Sequence, residues 1–507
     1  MSLLSYFKIL LLIIPIITFS QSIIWEQNFG EILYDQGYSI ELTEDNGYII
    51  AGRKGAISES IENTPSLSVD GDFHIIKITE DGNIEWEQSF EDTTAFSYSK
   101  CIKKDNINGG YIIGGSCLLK INDENPPEVE WFNYDINSED IIITPEGDYI
   151  SVGGSNINCE NPNNGFQISK IDNEGNLIDI QCFGDFNNGI EKAYSIDNIN
   201  EDNYLVIGTV NSTNCNLLTP ENCGHIPEPS PGSDFGYHGG SDIWILKIRD
   251  NGEFLSQVSL ENGNIGKCYG GTGFDQAYDI ECVNEEYAIL CGYTESNGNE
   301  FYDEMITSSG GGDFWILKID VIDGNVLWQK SIGGINKDHS YALDLDSQGN
   351  IYITGLSFSN YLGQHNSLFN EETSGDLITL QLDNNGNIMK GPICFGGSSI
   401  DVGMDIKYIG NETCIVTGYT DSQVELLPSF IDMESNGDIS SNNGLEDIWV
   451  LKIDFNQNFS NINSFCIKKE LIQITNLLGQ NTLNNKDIFK IYKYKNGKIE
   501  KHIHLNR

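Results

Sequence analysis

A nine-residue stretch from Gly312 to Asp320 (GDFWILKID) limits what this chain can fold into more than any other feature, because related copies recur along the sequence. Close copies begin at Asp72, Asp242 and Asp447, and each runs through apolar residues to a lysine. Weaker copies lie at residues 117–121, 166–171 and 376–382. A stretch that occurs seven times in one chain is a structural unit of a repeat protein before it is a site.

The neighbours of each copy predict four β-strands per unit, which we label a to d. Strand a is of the type Tyr278-Asp279-Ile280, strand b is of the type Tyr48 to Gly52, strand c is the repeated stretch, and strand d carries a tryptophan. Strand b ends in glycine in all seven units, at residues 52, 114, 153, 208, 292, 355 and 418. Turns such as Asp323-Gly324 join strands c and d, since glycine tolerates the positive φ of a hairpin turn.

The order of the strands along the chain predicts a closed ring. Four-stranded units repeated around an axis form a β-propeller, and no stretch keeps a helical period. The segment 23–30 matches strand d, although no strand a, b or c precedes it, and the last repeat lacks a good strand d. We therefore predict an all-β, seven-bladed β-propeller that the N-terminal strand closes, followed by a small C-terminal β tail.

Composition at the two ends divides the chain into three regions. Residues 1–20 carry one lysine, an apolar run and a small-residue end, which is typical of a secretory signal peptide. The propeller is predicted over residues 21–463. Residues 464–507 hold eight Lys, one Arg and three acids, unlike the acidic remainder, and form a separate module. No stretch after the signal is long enough to span a membrane.

Charge and cysteine content narrow the function classes. The chain of 507 residues has 75 acids against 28 Lys and Arg, a net charge of −47, which disfavours nucleic acid and anionic membranes as partners. Twelve cysteines fit an oxidising compartment. We expect Cys215 and Cys223 to form a local disulfide across a Pro-containing loop, while the sequence leaves the other pairings open.

Candidate chemical groups in the repeats have architectural interpretations. An aspartate follows the glycine pair between strands d and a, and it is expected to cap backbone N–H groups or, alternatively, to line a cation site on the axis. These turn acids are Asp35, Asp275, Asp338 and Asp401. The strand c lysines are expected to lie between blades and to pair with acids such as Asp279 or Asp405.

Familiar catalytic and metal motifs do not occur in the sequence. The seven histidines are scattered, and no Gly-x-Ser-x-Gly, phosphate loop or Cys-x-x-Cys is present. Only three arginines occur, one of them in the tail, which argues against a sialidase with its three-arginine grip on a carboxylate. We therefore predict no catalytic residue, no metal and no cofactor.

The connections between strands b and c are long and lie on one face of the predicted ring, where a rigid scaffold would present them together. The longest, 209–240, contains four prolines. Its side chains that suit binding are Cys215, Cys223, His225, Tyr237 and His238. This b–c face is the predicted binding face.

Two family resemblances add to these expectations. The unit that runs from Ser331 through Gly355 to Asn387 resembles the bacterial SBBP β-propeller repeat over most of 23–460, and the strand from Tyr111 to Gly115 resembles kelch-like propellers. Neither family implies a fixed activity.

The tail resembles a shortened, type A-like sorting domain of the type IX secretion system. The similarity lies in 470–480, 489–492 and 496–501, with a central motif of Asn476, Leu477, Leu478, Gly479 and Gln480. This resemblance implies contact with the type IX machinery, export across a Gram-negative outer membrane, and release or attachment to surface lipopolysaccharide.

The sequence therefore predicts a secreted or cell-surface protein without catalytic activity that binds a glycan or protein ligand, as in adhesion. Two alternatives stay open. One is a polysaccharide-active enzyme, which would need paired carboxylates at a suitable spacing. The other is a structural component of a surface layer.

Overall fold

A computed structural model provides the structure of this protein, and its described part consists of strands, bridges and turns. The described residues are 23–31, 33–55, 71–90, 98–154, 165–183, 191–211, 240–252, 254–258, 266–298, 306–307, 311–359, 375–396, 399–422, 445–456, 471–475, 489–494 and 499–503. Within these ranges no helix is long and apolar enough to cross a membrane.

Seven antiparallel sheets of four or five strands form the blades, so the chain is a seven-bladed β-propeller. Blade 1 consists of β2 (Gln36–Leu42), β3 (Tyr48–Gly55), β4 (Gly71–Ile78) and β5 (Ile84–Phe90). Blade 2 consists of β6 (Ser99–Lys104), β7 (Tyr111–Gly115), β8 (Leu118–Ile121) and β9 (Val129–Asn133). Blade 3 consists of β10 (Asp140–Ile143), β11 (Tyr149–Gly154), β12 (Phe166–Ile171) and β13 (Leu177–Phe183).

Blades 4 to 6 continue the series. Blade 4 consists of β14 (Lys192–Asn198), β15 (Asn203–Val210), β16 (Asp242–Asp250), β17 (Leu255–Gln257) and β18 (Gly266–Tyr269). Blade 5 consists of β19 (Asp275–Val283), β20 (Tyr287–Thr294), β23 (Asp313–Asp320) and β24 (Val326–Ile332). Blade 6 consists of β25 (Asp338–Leu345), β26 (Ile351–Ser357), β27 (Asp376–Leu382) and β28 (Ile388–Phe395). In blade 4 the outer strand is split, since β17 and β18 both pair with β16. A small hairpin of β21 (Asn297–Gly298) and β22 (Ile306–Thr307) lies between strands b and c of blade 5.

The two ends of the propeller meet in blade 7, as predicted. Its strands are β29 (Asp401–Gly410), β30 (Thr413–Thr420) and β31 (Asp447–Asp454), with β1 (Ile23–Phe29) as the outermost strand. The register pairs Glu26 with Leu451 and Asn28 with Trp449. Strand c of the last repeat thus has a complete partner, and the ring leaves no open blade.

The hydrophobic core lies between neighbouring blades, because each blade is apolar on both faces. Phe166 of blade 3 packs edge-to-face on Trp244 of blade 4, with ring centroids 4.8 Å apart. Tyr352 of blade 6 and Trp449 of blade 7 belong to one buried cluster. The strand c tryptophans Trp244, Trp315 and Trp449 are fully buried, so strand c supplies large side chains to this core.

The innermost strands β2, β6, β10, β14, β19, β25 and β29 contact one another in sequence and close on themselves around the axis. Six of them carry a β-bulge near their start, at a residue that the register skips, such as Tyr278 between Ala277 and Asp279. The others are Tyr38, Lys100, Tyr194, Tyr341 and Met404. In blade 3, Glu139 lies just before β10 and takes the equivalent place, since its N–H donates to the Val152 carbonyl. A bulge turns an extra side chain out of the ladder, here toward the axis.

The glycine of strand b explains why the bulge forms there. A Cβ at Gly292 would overlap the carbonyl oxygen of Gln276, two residues before the bulged Tyr278. The same overlap occurs at Gly52, Gly115, Gly208, Gly355 and Gly418. In blade 2 the residue is Gly115, one position after the Gly114 that the sequence pattern aligns. The repeated glycine is therefore the partner of the bulge.

Partners of the strand c lysines differ from those expected. Lys77 pairs with Asp45 at 2.8 Å, and Lys170 pairs with Asp250 of the next blade at 2.8 Å. The expected pairing with Asp279 or Asp405 is wrong, because those acids lie on innermost strands, two strands away from strand c.

Two predicted regions lie partly or wholly outside the described residues. The signal peptide, 1–20, and the motif Asn476 to Gln480 are among the residues not described. The tail does contain a three-stranded sheet of β32 (Leu471–Thr475), β33 (Phe489–Tyr494) and β34 (Ile499–Ile503). The division of the chain at 463/464 stays a prediction.

Substitution of Gly292 by alanine should destabilise the protein by about 1–3 kcal/mol, because the new methyl group must displace the backbone of β19. Urea unfolding followed by tryptophan fluorescence measures this loss. The matched control is Gly154→Ala, also on a strand b, where the nearest atom to the new Cβ is Lys192 Cγ at 3.8 Å. Equal stability of the two variants would contradict the bulge–glycine pairing.

Candidate functional site

The innermost strands enclose an axial cavity of about 770 Å³. Residues that face it form three levels, which follow from the common register of the strands. The bulged residues make the mouth ring: Tyr38, Lys100, Glu139, Tyr194, Tyr278, Tyr341 and Met404. The next residues make the middle ring: Ser39, Cys101, Asp140, Ser195, Asp279, Ala342 and Asp405. Two residues further along is the lower level, which includes Glu41, Lys103, Asp197, Glu281 and Lys407.

The mouth ring lies at the end of the cavity that is on the side of the long b–c connections, and the lining at the other end includes Thr43 and Ile107 beside the a–b turns. Tyr38 lies near the start of β2, and Gln36 at that start pairs with Arg53 near the end of β3. The start of strand a therefore lies beside the end of strand b, where the b–c connection leaves the blade. The axial mouth and the predicted binding face are on the same side of the molecule.

One side of the mouth is an aromatic wall. The rings of Tyr194, Tyr278 and Tyr341 come from three consecutive blades, with centroids 5.3 Å and 5.2 Å apart. His339 continues the series behind Tyr341 at 5.9 Å and stacks on Tyr293 at 4.1 Å. The three tyrosines are half-buried, so parts of their rings stay open to the cavity.

A lysine lies on the opposite side of the mouth. The Lys100 ammonium sits 4.1 Å from the centroid of the Tyr38 ring and 5.3 Å from that of Tyr98, a cation–π arrangement. Among the described residues it has no ion pair and donates no hydrogen bond. Its neighbour Lys192, in contrast, lies 2.7 Å from Glu139. Burial lowers the pKa of Lys100.

The middle-ring carboxylates join successive blades. Asp140 Oδ2 accepts hydrogen bonds from Ile196 N at 3.1 Å and Ser195 Oγ at 3.0 Å, both on the next blade. Asp405 Oδ2 accepts from Ile40 N at 2.8 Å and Ser39 Oγ at 3.0 Å across the closure of the ring. Asp279 Oδ2 accepts from Leu343 N at 2.9 Å. Each aspartate thereby satisfies a backbone N–H on the inner edge of the following blade.

The intervening blades use acids of the lower level for the same purpose. Asp197 of blade 4 accepts from Cys282 N at 2.6 Å, and Asp344 of blade 6 accepts from Tyr408 N at 2.5 Å. From blade 3 to blade 7 the acids thus alternate between two levels. Glu281 of blade 5 is an exception to this staggering, since it lies at the lower level and the charges of Asp197 and Asp344 act on it.

The cavity still concentrates titratable groups. Burial raises the pKa of Asp279 to about 7 and that of Asp197 to about 6, and it raises the pKa of Glu281 well above its ordinary value. Lys103 lies 3.4 Å from Asp140, whose charge raises the lysine pKa, and Asp405 does the same for Lys407. At neutral pH the interior therefore holds both lysine cations and a partly protonated set of acids.

The predicted turn acids lie away from the axis. Asp275 Oδ2 accepts from Gly271 N at 2.8 Å, Asp338 Oδ2 accepts from Gly334 N at 2.8 Å, and Asp35 Oδ2 accepts from Glu31 N at 2.6 Å. Asp401 Oδ2 accepts from Ser422 Oγ at 2.8 Å. All four are buried, and none of them lines the axial cavity. Burial raises the pKa of Asp338 to about 7.

The other predicted site residues cannot be placed. Cys215, Cys223, His225, Tyr237 and His238 lie outside the described residues. In the described part, Cys101, Cys117, Cys268, Cys282, Cys291 and Cys414 are free thiols, and no group of three or more His, Cys, Asp or Glu is arranged to hold a metal ion.

Sequence reasoning missed the mouth ring, although a signal for it was present. Tyrosine recurs near the start of strand a at residues 38, 194, 278 and 341, always in a unit whose strand b ends in glycine. The tyrosine of strand a and the glycine of strand b are both visible in the sequence, but the bulge that connects them is visible only in the register of the strands.

No protein-family model matches the chain, and no curated protein matches it. Solved structures with a similar fold include the WD40 β-propeller domain of Doa1, with a TM-score of 0.42 at 11% identity, covering 86% of this chain and 97% of that one. Sqt1 of Chaetomium thermophilum, bound to the N-terminus of ribosomal protein L10, has a TM-score of 0.40 at 9% sequence identity, covering 77% of this chain and 84% of that one. A Bacteroides caccae protein of unknown function has a TM-score of 0.34 at 11% sequence identity, covering 62% of this chain and 88% of that one. Nothing about activity is carried over from them.

Replacement of Asp279 by asparagine should change how stability depends on pH. The native pKa of about 7 lies above the unfolded value of about 3.9, so the native state binds more protons between these limits and stability falls as the pH rises through them. The variant lacks this loss, so its stability relative to the parent should rise from pH 4 to 7, by at most about 1.4 kcal/mol per pH unit.

Urea unfolding at several pH values measures the effect. Asp81→Asn, in an exposed turn, is the control and should give a relative stability that does not change with pH in this window. A flat relative stability for Asp279→Asn would mean that the carboxyl is ionised in the native protein.

Proposed function

We propose that the protein is a binding module without catalytic activity, whose ligand enters the axial cavity from the b–c face. The observation that carries this proposal is the mouth ring, in which half-buried tyrosines and a lysine that has no ion pair within the described part of the chain line the cavity. Ligand sites are concave and combine aromatic walls with a few placed polar groups, over about 300–1,000 Å³. The cavity falls within that range.

A polysaccharide-active enzyme is the second candidate, because two carboxylates approach each other in the cavity. Ser195 Oγ lies 3.0 Å from Asp140 Oδ2 and 3.2 Å from Asp279 Oδ1. Two hydrogen bonds through one hydroxyl span at most about 6 Å, close to the carboxyl spacing of about 5–5.5 Å in retaining glycosidases. Both carboxylates, however, already accept backbone N–H groups that join the blades, which favours binding over catalysis.

We further propose that the protein acts outside the cell, at the surface or in the medium of a Gram-negative bacterium. The signal-like residues 1–20 and the basic tail that resembles a sorting domain support export through the type IX machinery and attachment to lipopolysaccharide. An acidic propeller on a basic tail suits a module that is carried out and then released or anchored. Adhesion through a glycan or protein ligand is the corresponding role.

A glycan array probed with the propeller should show selective binding that depends on the mouth. Met404→Trp places a larger side chain in the mouth ring and should lower the signal at least about tenfold. Leu327→Trp, on the exposed outer strand of blade 5, is the control and should leave it unchanged. Bound polysaccharides should release no reducing ends. Binding that survives Met404→Trp would refute the axial site, and release of reducing ends that Asp140→Asn abolishes would favour the enzyme.

Removal of residues 464–507 should retain the protein inside the cell, because the tail is the proposed sorting signal. Immunoblots of the medium, surface and periplasm of an expressing strain with an intact type IX system measure this. The control replaces the exposed turn residue Asp81 with asparagine in the full chain and should leave export unchanged. Normal appearance of the truncated chain outside the cell would rule the tail out as the signal.

A further inference from the structure

We propose that the mouth ring binds a saccharide that carries a carboxylate, that is, a uronate residue of an acidic glycan. This inference rests on the proposed function and names the ligand class of the same site. It depends on two features on opposite sides of one opening, the aromatic wall of blades 4 to 6 and the lysine of blade 2. The two features together fit a ring with an apolar face and an anionic substituent.

The aromatic wall supplies a surface for the sugar ring. Tyr278 packs edge-to-face on Tyr194 and at a tilt on Tyr341, and its hydroxyl donates to Gln276 Oε1 at 2.7 Å. The ring is therefore fixed before a ligand arrives, which lowers the entropic cost of binding. The C–H face of a pyranose can pack on such rings while its hydroxyl groups stay hydrated in the cavity.

The lysine supplies the charge. An ammonium group has three donors, and buried polar groups are normally hydrogen-bonded. Lys100 touches only the faces of Tyr38 and Tyr98 in the described part of the chain, so its donors are available to a ligand. The charge of Arg53 also acts on Lys100. The Arg53 Nε–H is buried and has no acceptor within the described part of the chain. The charges at this edge are three cations, Lys100, Lys192 and Arg53, against the two carboxylates of Glu139 and Glu446, a balance that favours an anion.

The interior fixes the orientation of the ligand. Below the mouth ring, Lys103 and Lys407 are already paired with Asp140 and Asp405. Acids outnumber lysines among the lining residues at these levels, so a carboxylate that went deeper would be repelled. The ligand carboxylate therefore stays beside Lys100, and the neutral hydroxyl groups point inward to Ser195 and to the acids. A cavity of about 770 Å³ holds more than one sugar ring, so the ligand is an oligosaccharide.

Calorimetry with trigalacturonate and its carboxyl-reduced neutral counterpart tests the proposal, because the two probes differ in their carboxylates alone. The full chain should bind the acidic trisaccharide at least about tenfold more tightly than the neutral one. Lys100→Met should abolish that preference, so that the acidic and the neutral trisaccharide bind with similar affinity. Lys54→Met, which removes a lysine paired with Glu31 outside the axial cavity, is the matched control and should keep the preference. Tyr278→Leu should weaken both ligands.

Equal affinity for the two probes, or a preference that survives Lys100→Met, would overturn the carboxylate assignment. If neither trisaccharide binds while other glycans on the array still bind and lose binding in Met404→Trp, this inference fails and the proposed binding function stands. If no glycan or other probe binds through the mouth at all, both fail. Circular dichroism of each variant at the assay temperature verifies that it is folded.

Discussion

The pairing between a bulge on the innermost strand and a glycine on the strand beside it is the constraint on which the centre of this propeller depends. At Gly292 there is no space for a Cβ, because the carbonyl of Gln276 occupies it. That close approach lets Tyr278 leave the ladder and point to the axis. Since the arrangement recurs in six blades, the fold builds a ring of inward side chains from a purely local backbone rule.

A second requirement follows from the geometry of the ring. The inner edge of each blade exposes backbone N–H groups that no strand can pair, and unpaired edges are costly. Side chains of the preceding blade accept them, as Asp140 does for Ile196 N and Asp197 does for Cys282 N. Acids are well suited because a carboxylate can bond its own strand and the next one together: Asp405 accepts from both Ile406 N and Ile40 N. The acidity of the channel is thus partly a consequence of joining seven blades.

The sequence predicted the parts of the structure that repeat. The seven copies of strand c, the glycine of strand b and the unmatched strand d at 23–30 were sufficient for the blade count and the closure of the ring. What it could not predict was contact between residues far apart in the chain. Asp279 was expected to meet a strand c lysine, since charge pairing is visible in a sequence and register is not. Cysteine count could not say which thiols pair: of the eight cysteines in the described part, six are free thiols, whereas Cys182 and Cys394 are disulfide-bonded.

The bulge also explains how a rigid ring can carry a specific site. A residue in the ladder must suit its strand neighbours, but a bulged residue points away from them, so its side chain can change without altering the backbone. Tyrosine, lysine and methionine occupy this same position in Tyr194, Lys100 and Met404. The middle ring has less freedom, since Asp140, Asp279 and Asp405 each complete a hydrogen bond to the next blade. In the proposed site, the residues for the scaffold and those for the ligand would therefore be separated by a single position along each strand, with selectivity at the mouth and stability one step below it.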